Sequence, residues 1–586
     1  MRVNVVIWAV ALASCAHAAL TKIAEDVRAQ DPQTMVDVIV QYRHSPTAAD
    51  HDRVLWRGGQ LKHELKLIRG AHYSLPASQL EELANDPEVE HISLDHELHA
   101  TGATLPSTPD YGWMTVLGAS SPAATLPWDG TGIGVALIDS GIAGSPPDLQ
   151  NAAGKNRVVY QQSLIPNVND VNDHFGHGTM VAGLIGGSGK NSSGANTDYK
   201  VRGVAPNVNF INLRVLDNKG ASTDSTVIAA IQRAIALKSQ YNIRVINLSL
   251  GRPVFESYTI DPLCQAVQQA WNAGIVVVVA AGNNGRDNSE GESGYGTITV
   301  PGNSPYVITV GAMNTVGTLM SSDDKMTSYS SKGPTLIDHV VKPDLVAPGN
   351  RIVSIQPSGS YLLATYPNNK VAQDLYQTGT NTGPSSQYFE LSGTSFAAPM
   401  VSGAAALLIQ QNPALTPDQV KARLMKTATK LPRVTTVSVD PATGVPYYTQ
   451  NDIFTVGAGY LNVQAALANT DLLAGGAPSP MAVPDTASGN VYLDFGSNAA
   501  WGTNAAWGTN VFWGANASWG TAAIWGTNVL SGTNAAWGTN AAWGTNAAWG
   551  TNAAWGTAAI WGTSMISTSS GTNTAESMMI TINGDN

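Results

Sequence analysis

Five short runs of nearly uninterrupted apolar residues constrain this chain more than any other feature: GIGVALIDSGI, VNFINLRVL, IRVINLSLG, GIVVVVAAGN and YVITVGAM. A strand with one face in water alternates apolar and polar residues, whereas runs this continuous need cover on both faces. Between them, STVIAAIQRAIALKSQ and PLCQAVQQAWNAG carry helical spacing. The alternation predicts an α/β fold over residues 128–467: a doubly wound, mainly parallel sheet with helices on both faces. In such sheets the functional residues stand at the carboxyl ends of strands.

Those ends hold chemistry. Asp139 closes the first run at Asp139-Ser140-Gly141, and Asn283 follows VVVVAAG. His177 lies between Gly176 and Gly178, just before a helix-like run. Ser395 sits on the turn of LSGTSFAAPMVSGAAALL, residues 391–408, where an Ala-rich helix begins. Backbone N–H groups at a helix start favour developing negative charge. Serine alone is a weak nucleophile, so it needs a base, a group orienting the base, and donors for an oxyanion. His177 would take and return the proton, Asp139 would hold the imidazole, and the Asn283 amide and Ser395 N–H would donate to the oxyanion. Singly, each residue reads as a turn former, a packing residue or a cap.

The motifs Asp139-Ser140-Gly141, His177-Gly178-Thr179 and Gly393-Thr394-Ser395-Phe396-Ala397-Ala398-Pro399 resemble the three signatures of the subtilases. The chain order Asp, His, Ser fits that family too. The resemblance extends over 128–467 and includes YSSKGP, KPDLVAPG and GAGYLNVQAAL. It implies a serine-type endopeptidase acting through an acyl-enzyme on protein or peptide substrates, with no cofactor required for chemistry. It also implies that Ser249, Leu250 and Gly251, with Ala281 and Gly282, flank the specificity pocket and offer an edge to extended substrate. These segments contain no acidic residue, so apolar side chains are expected there rather than Lys or Arg. Asp148 matches a position that often ligates structural calcium in the family, although the partner loop at 186–206 looks longer and different. The segment 357–387, ahead of the Ser395 motif, is expected to shape the cleft.

Upstream, Arg2 and the apolar run Val5 to Ala13 predict a signal peptide over residues 1–18 with cleavage after Ala18, hence a secreted or cell-surface protein. The alternative is a lipoprotein anchored at Cys15, since Leu12-Ala13-Ser14-Cys15 resembles a lipoprotein box. Cleavage after Ala18 leaves Cys264 as a single thiol, expected to be buried in a helix. Residues 31–100 read as a small α/β block: VDVIVQYR a strand, GQLKHELKLI a helix, AHYSL a strand, ASQLEELAND a helix and HISLDHEL a strand. The order resembles the inhibitor-type prodomain of subtilisin-like proteases and implies an intramolecular inhibitor. Residues 101–127, rich in Thr, Ser, Pro and Gly, form the expected processing linker.

Net charge −11 without basic clusters argues against nucleic acid as partner. Residues 468–490 read as an Ala-, Gly-, Pro- and Ser-rich linker. From 491 to 566 the chain repeats WGTNAA-like hexapeptides, with Trp at 501, 507, 513, 519 and 525 and again from 537 to 561. An even period places every Trp on one face of a strand, which predicts a stacked β-solenoid or β-rich segment that attaches to a surface, a glycan or another copy. A low-complexity flexible tail is the alternative, and 567–586 form a short terminal tail. Two functions are consistent with the whole: an exported serine endopeptidase made as a zymogen, or an adhesive surface protein whose protease domain mainly processes its own chain.

Overall fold

The computed structural model describes residues 22–100, 126–287, 294–318, 320–441, 443–472, 475–485, 490–494 and 585. The expected signal segment with Cys15, the linker up to residue 125, the hexapeptides from 495 and the terminal tail apart from Asp585 lie outside the described residues.

The N-terminal unit contains strands β1 (Met35–Tyr42), β2 (Gln60–Leu65), β3 (Gly70–Pro76) and β4 (Val89–Leu94). They form an antiparallel sheet in the order β2-β3-β1-β4, with helices α1 (Ala48–Trp56) and α2 (Leu80–Ala84). Val38, Val40, Tyr73, Leu75, Leu83 and Ile92 belong to its own core. One expectation is corrected here: GQLKHELKLI supplies strand β2, and the helix lies one segment earlier. A capping box between Thr47 and Asp50 starts that helix. β2 is an edge strand with five exposed residues and only Leu65 buried, so alternation is missing, while Leu61 and Leu65 happen to lie at helical spacing. A short strand, β5 (Glu97–Ala100), follows.

The large unit is built on β6 (Gly134–Asp139), β7 (Val158–Ser163), β8 (Asn209–Arg214), β9 (Ala221–Thr223), β10 (Ile243–Leu248), β11 (Leu250–Gly251), β12 (Val276–Ala280), β13 (Ile308–Asn314), β14 (Lys325–Met326) and β15 (Leu345–Pro348). Its main sheet runs β14-β13-β12-β10-β6-β8-β7, with β15 also paired to β13, and every pairing except β13–β14 is parallel. The chain leaves β6 toward β7 and β8 on one side and crosses to β10 on the other. The carboxyl end of β6 is therefore the topological switch point, where such sheets place their sites.

Helices α3 (Gly178–Gly186), α4 (Asp224–Tyr241), α5 (Pro262–Asn272) and α6 (Thr394–Gln411) flank this sheet. Residues Thr394 to Ile409 of α6 are all buried, which explains why the segment is Ala-rich and uncharged. Cys264 is a buried free thiol in α5, as expected.

The segment read as a linker is in part folded onto the body. Strands Met481–Asp485 and Asn490–Asp494 pair, Met481 bridges to Val340, and the buried Ser479 hydroxyl donates to Asp344. Asp344 also holds the buried ammonium groups of Lys342 and Lys421. Among the described residues, no helix is long and apolar enough to cross a membrane.

Candidate active site

Asp139 ends β6, and the helix that follows His177 is packed against it. His177 Nδ1 lies 2.8 Å from Asp139 Oδ1, which also accepts from the Ser140 N–H at 2.7 Å. Gly178 permits this approach: a Cβ there would stand 2.3 Å from the Gly141 carbonyl oxygen.

A buried carboxylate outside the motifs locks the two loops together. Asp173 accepts from the Ser140 hydroxyl at 2.8 Å, the Gly176 N–H at 2.6 Å, and the Thr179 N–H and hydroxyl at 2.8 and 2.6 Å. Burial pushes its carboxyl up, while these hydrogen bonds oppose the shift. The only hint in the sequence is an acid four residues before His177.

Ser395 enters α6 after Gly393, whose φ of 143° suits glycine. Pro399 lacks the N–H that would bond the Ser395 carbonyl four residues back. That carbonyl accepts instead from the Ser249 hydroxyl at 2.8 Å, and the Ser395 hydroxyl donates to the Ser249 carbonyl at 3.0 Å. The chain of bonds continues inward, from Asn247 Nδ2 to the Ser249 hydroxyl at 2.9 Å and from the Ser402 hydroxyl to Asn247 Oδ1 at 2.8 Å. Asn247 and Ser402 thus position Ser395, a role the sequence did not reveal. The Phe396 ring, adjacent in sequence to Ser395, lies 5.2 Å from the His177 ring.

Asn283 is held from one side only. Its Oδ1 accepts from the Thr394 N–H and hydroxyl, each at 3.0 Å. Its Nδ2 is buried and has no hydrogen-bond partner among the described residues. Burying an amide donor without a partner costs about 1–3 kcal/mol, so the orphan calls for a ligand. Gly282 is fixed beside it, with its N–H 3.2 Å from the Thr394 hydroxyl and its carbonyl accepting from Ser331 N–H at 2.9 Å. Ala281 accepts from the Thr299 N–H at 3.1 Å on the neighbouring segment.

The edge offered by Leu250 and Gly251 is occupied. Strand β5 of the N-terminal unit lies antiparallel between β11 and β9, with Gly251 opposite His99 and Leu250 opposite Ala100. Leu98 is fully buried and belongs to the core of the large unit. Around it, Asp95 accepts from the N–H and hydroxyl of Ser225, in the first turn of α4, at 2.7 and 2.6 Å. His96 lies 3.3 Å from Asp224 and 2.6 Å from Asp26. Glu256 meets His91 Nε2 and the Ser93 hydroxyl, each at 2.7 Å. Asp139, His177 and Ser395 are all fully buried in this intact chain.

The 357–387 segment reaches the site's rim, where Tyr361 stacks on Phe175 with ring centroids 6.3 Å apart and its N–H donates to the His174 carbonyl at 2.8 Å. Asp148 is placed elsewhere. Its two oxygens accept from the Asn191 N–H at 2.7 Å and the Tyr388 hydroxyl at 2.8 Å. These are hydrogen-bond donors rather than the six to eight oxygen ligands calcium takes, so the surroundings of Asp148 do not fit the expected calcium site. Among the described residues no cluster of three or more His, Cys, Asp or Glu side chains could hold a metal ion.

The profile of the subtilase family matches residues 130–445. Serine protease AprX of Bacillus subtilis (strain 168) is 40% identical over 309 residues, covering 51% of this chain and 62% of AprX. Subtilisin E of the same organism is 32% identical over 422 residues, covering 72% of this chain and 86% of that protein. The crystal structure of fervidolysin from Fervidobacterium pennivorans, a keratinolytic enzyme related to subtilisin, superposes with a TM-score of 0.55 at 22% identity, covering 79% of this chain and 64% of fervidolysin.

Proposed function

Because this chain belongs to the subtilase family and is a serine-type endopeptidase, we propose that it is exported as a zymogen and hydrolyses proteins through an acyl-enzyme at Ser395. Catalysis in this family needs no cofactor. The observation that carries the assignment of roles is the buried, unpartnered Asn283 Nδ2 beside the turn that carries Ser395.

In this reading His177 accepts the Ser395 hydroxyl proton as the oxygen attacks the scissile carbonyl carbon. Asp139 holds the ring through Nδ1 and stabilises the imidazolium. The tetrahedral oxyanion receives hydrogen bonds from Asn283 Nδ2 and the Ser395 N–H. The intermediate collapses as His177 gives its proton to the leaving amine, forming an ester on Ser395. Water, deprotonated by His177, then attacks the ester and restores the hydroxyl.

We assign residues 22–100 as an inhibitory prodomain, with β5 lying on the Leu250–Gly251 edge in place of substrate. The antiparallel pairing of β5 with both β11 and β9 supports this. The Leu98 side chain, sunk into the core beside that edge, supports acceptance of apolar substrate side chains. Removal of the N-terminal signal, maturation by a cut beyond Ala100, and attachment of the Trp-repeat segment to a surface or glycan complete the proposal. The protease relatives support action on other proteins, and the self-processing alternative is not favoured.

Purified protein tests the reading. Wild type should mature and hydrolyse casein, whereas Ser395→Ala should remain full length and inert. A folded Ser395→Ala variant that still cuts casein would refute it. Deletion of 495–566 should leave casein hydrolysis intact and abolish retention on the producing cell's surface, and unchanged retention would remove the attachment role.

A further inference from the structure

Asp585 is the only described residue beyond 494, and it is completely buried in the protease unit. Its Oδ2 accepts from the Ser328 N–H at 2.6 Å, and its Oδ1 accepts from the Ser328 hydroxyl at 2.6 Å and from Arg286 Nη2 at 2.8 Å. Asn350 reads its backbone reciprocally: Oδ1 accepts from the Asp585 N–H at 2.8 Å, and Nδ2 donates to the Asp585 carbonyl at 3.1 Å. Both the carboxylate and the main chain of one residue are therefore recognised.

The socket is built by the protease unit itself. Arg286 donates through Nε to the Ser328 hydroxyl at 2.8 Å, pairs with Asp440 at 3.3 Å, and lies 5.0 Å above the Tyr447 ring. Every group meeting the Asp585 carboxylate is a donor. An amide of the same shape would turn an NH2 against an N–H or a guanidinium, so the socket selects the charged carboxylate. On the other side of the gap, the strand Asn490–Asp494 pairs with Met481–Asp485, whose Ala482 N–H donates to the His339 carbonyl at 2.8 Å.

We propose that Arg286, Ser328 and Asn350 form a dedicated docking site for Asp585, so that the repeat-bearing segment is fastened to the protease body at both of its ends. The site shares no residue with the catalytic groups, and the proposal does not depend on what the repeats bind. A single cut within the repeats then opens the segment without releasing its distal piece.

The test uses the full chain carrying Ser395→Ala, with a recognition site for a sequence-specific protease placed between residues 543 and 549. After cutting, the distal fragment should co-elute with the body in size exclusion, and the same fragment should separate when Asp585→Asn is added. Release in the parent, or retention in both, would overturn the proposal, the second because the repeats themselves would be holding the fragment. A labelled synthetic peptide of residues 579–586 supplies an independent reading. It should bind the uncut Asp585→Asn chain, whose own tail no longer fits, and the peptide carrying Asn at 585 should bind about tenfold or more weakly. Equal binding of the two peptides, or no binding of either, would also overturn it.

Discussion

Glu256→Ala should separate inhibition by the N-terminal unit from catalysis. Glu256 belongs to the protease unit, yet its carboxylate bonds to the N-terminal unit, to His91 Nε2 and the Ser93 hydroxyl at 2.7 Å each. All three residues are buried while the units are docked. Truncating one side of such a buried, charge-assisted contact leaves the other side desolvated and unpaired, at a cost of about 2–5 kcal/mol. At about 1.4 kcal/mol per decade, inhibition by residues 22–100 should weaken about thirty- to four-thousandfold. Once the unit has left, Glu256 faces water, so the substitution should change the mature enzyme's stability by no more than about 0.5 kcal/mol. The assay is hydrolysis of a chromogenic peptide by mature enzyme titrated with the 22–100 polypeptide. An inhibition constant unchanged by Glu256→Ala would refute the docking geometry, as would a parallel loss of kcat/KM.

Asn283→Ala should lower kcat by about a hundred- to a thousandfold with little change in KM, the range known for loss of the corresponding donor in subtilisin. Steady-state kinetics check it. Burial and Arg252 push the His96 imidazole down, but hydrogen bonds and charge from Asp224 and Asp26 outweigh them and hold it at about 9. Because this value is raised, the stabilisation that His96 lends the intact fold, in part through Asp224 across the two units, is fully present below the ordinary pKa of about 6.5 and is lost as pH rises through about 9. Release of the N-terminal unit, followed by the gain in activity with time, should therefore quicken between pH 7 and 10, and His96→Gln should flatten that dependence. Ser249→Ala strips a partner from both the Ser395 carbonyl and Asn247 Nδ2, so denaturant unfolding should report a loss of about 1–3 kcal/mol.

The parts of the site legible in the sequence were those whose chemistry is written locally. Asp139 ends an apolar strand, Asn283 closely follows another, and Ser395 lies in the first turn of a helix whose composition permits only burial. What stayed hidden depends on distant partners. Asp173 organises the His177 loop through Ser140, 33 residues away, and Glu256 meets His91 across 165 residues. The Asp585 socket joins Arg286 to a residue 299 positions on, and nothing near either marks the pairing. The strand at Gln60–Leu65 read as a helix because an exposed edge carries no alternation. Asp148 read as a calcium ligand because its sequence context resembles one, whereas Tyr388, 240 residues away, occupies its carboxylate.

The most direct test of the catalytic assignment is reaction of the mature enzyme with a peptidyl phosphonate, followed by peptide mapping. The phosphonyl group should be found on Ser395 alone, with the rate of labelling falling at least about a hundredfold in His177→Ala, as expected for loss of a general base. Labelling of a different serine, or labelling at full rate without His177, would contradict the account.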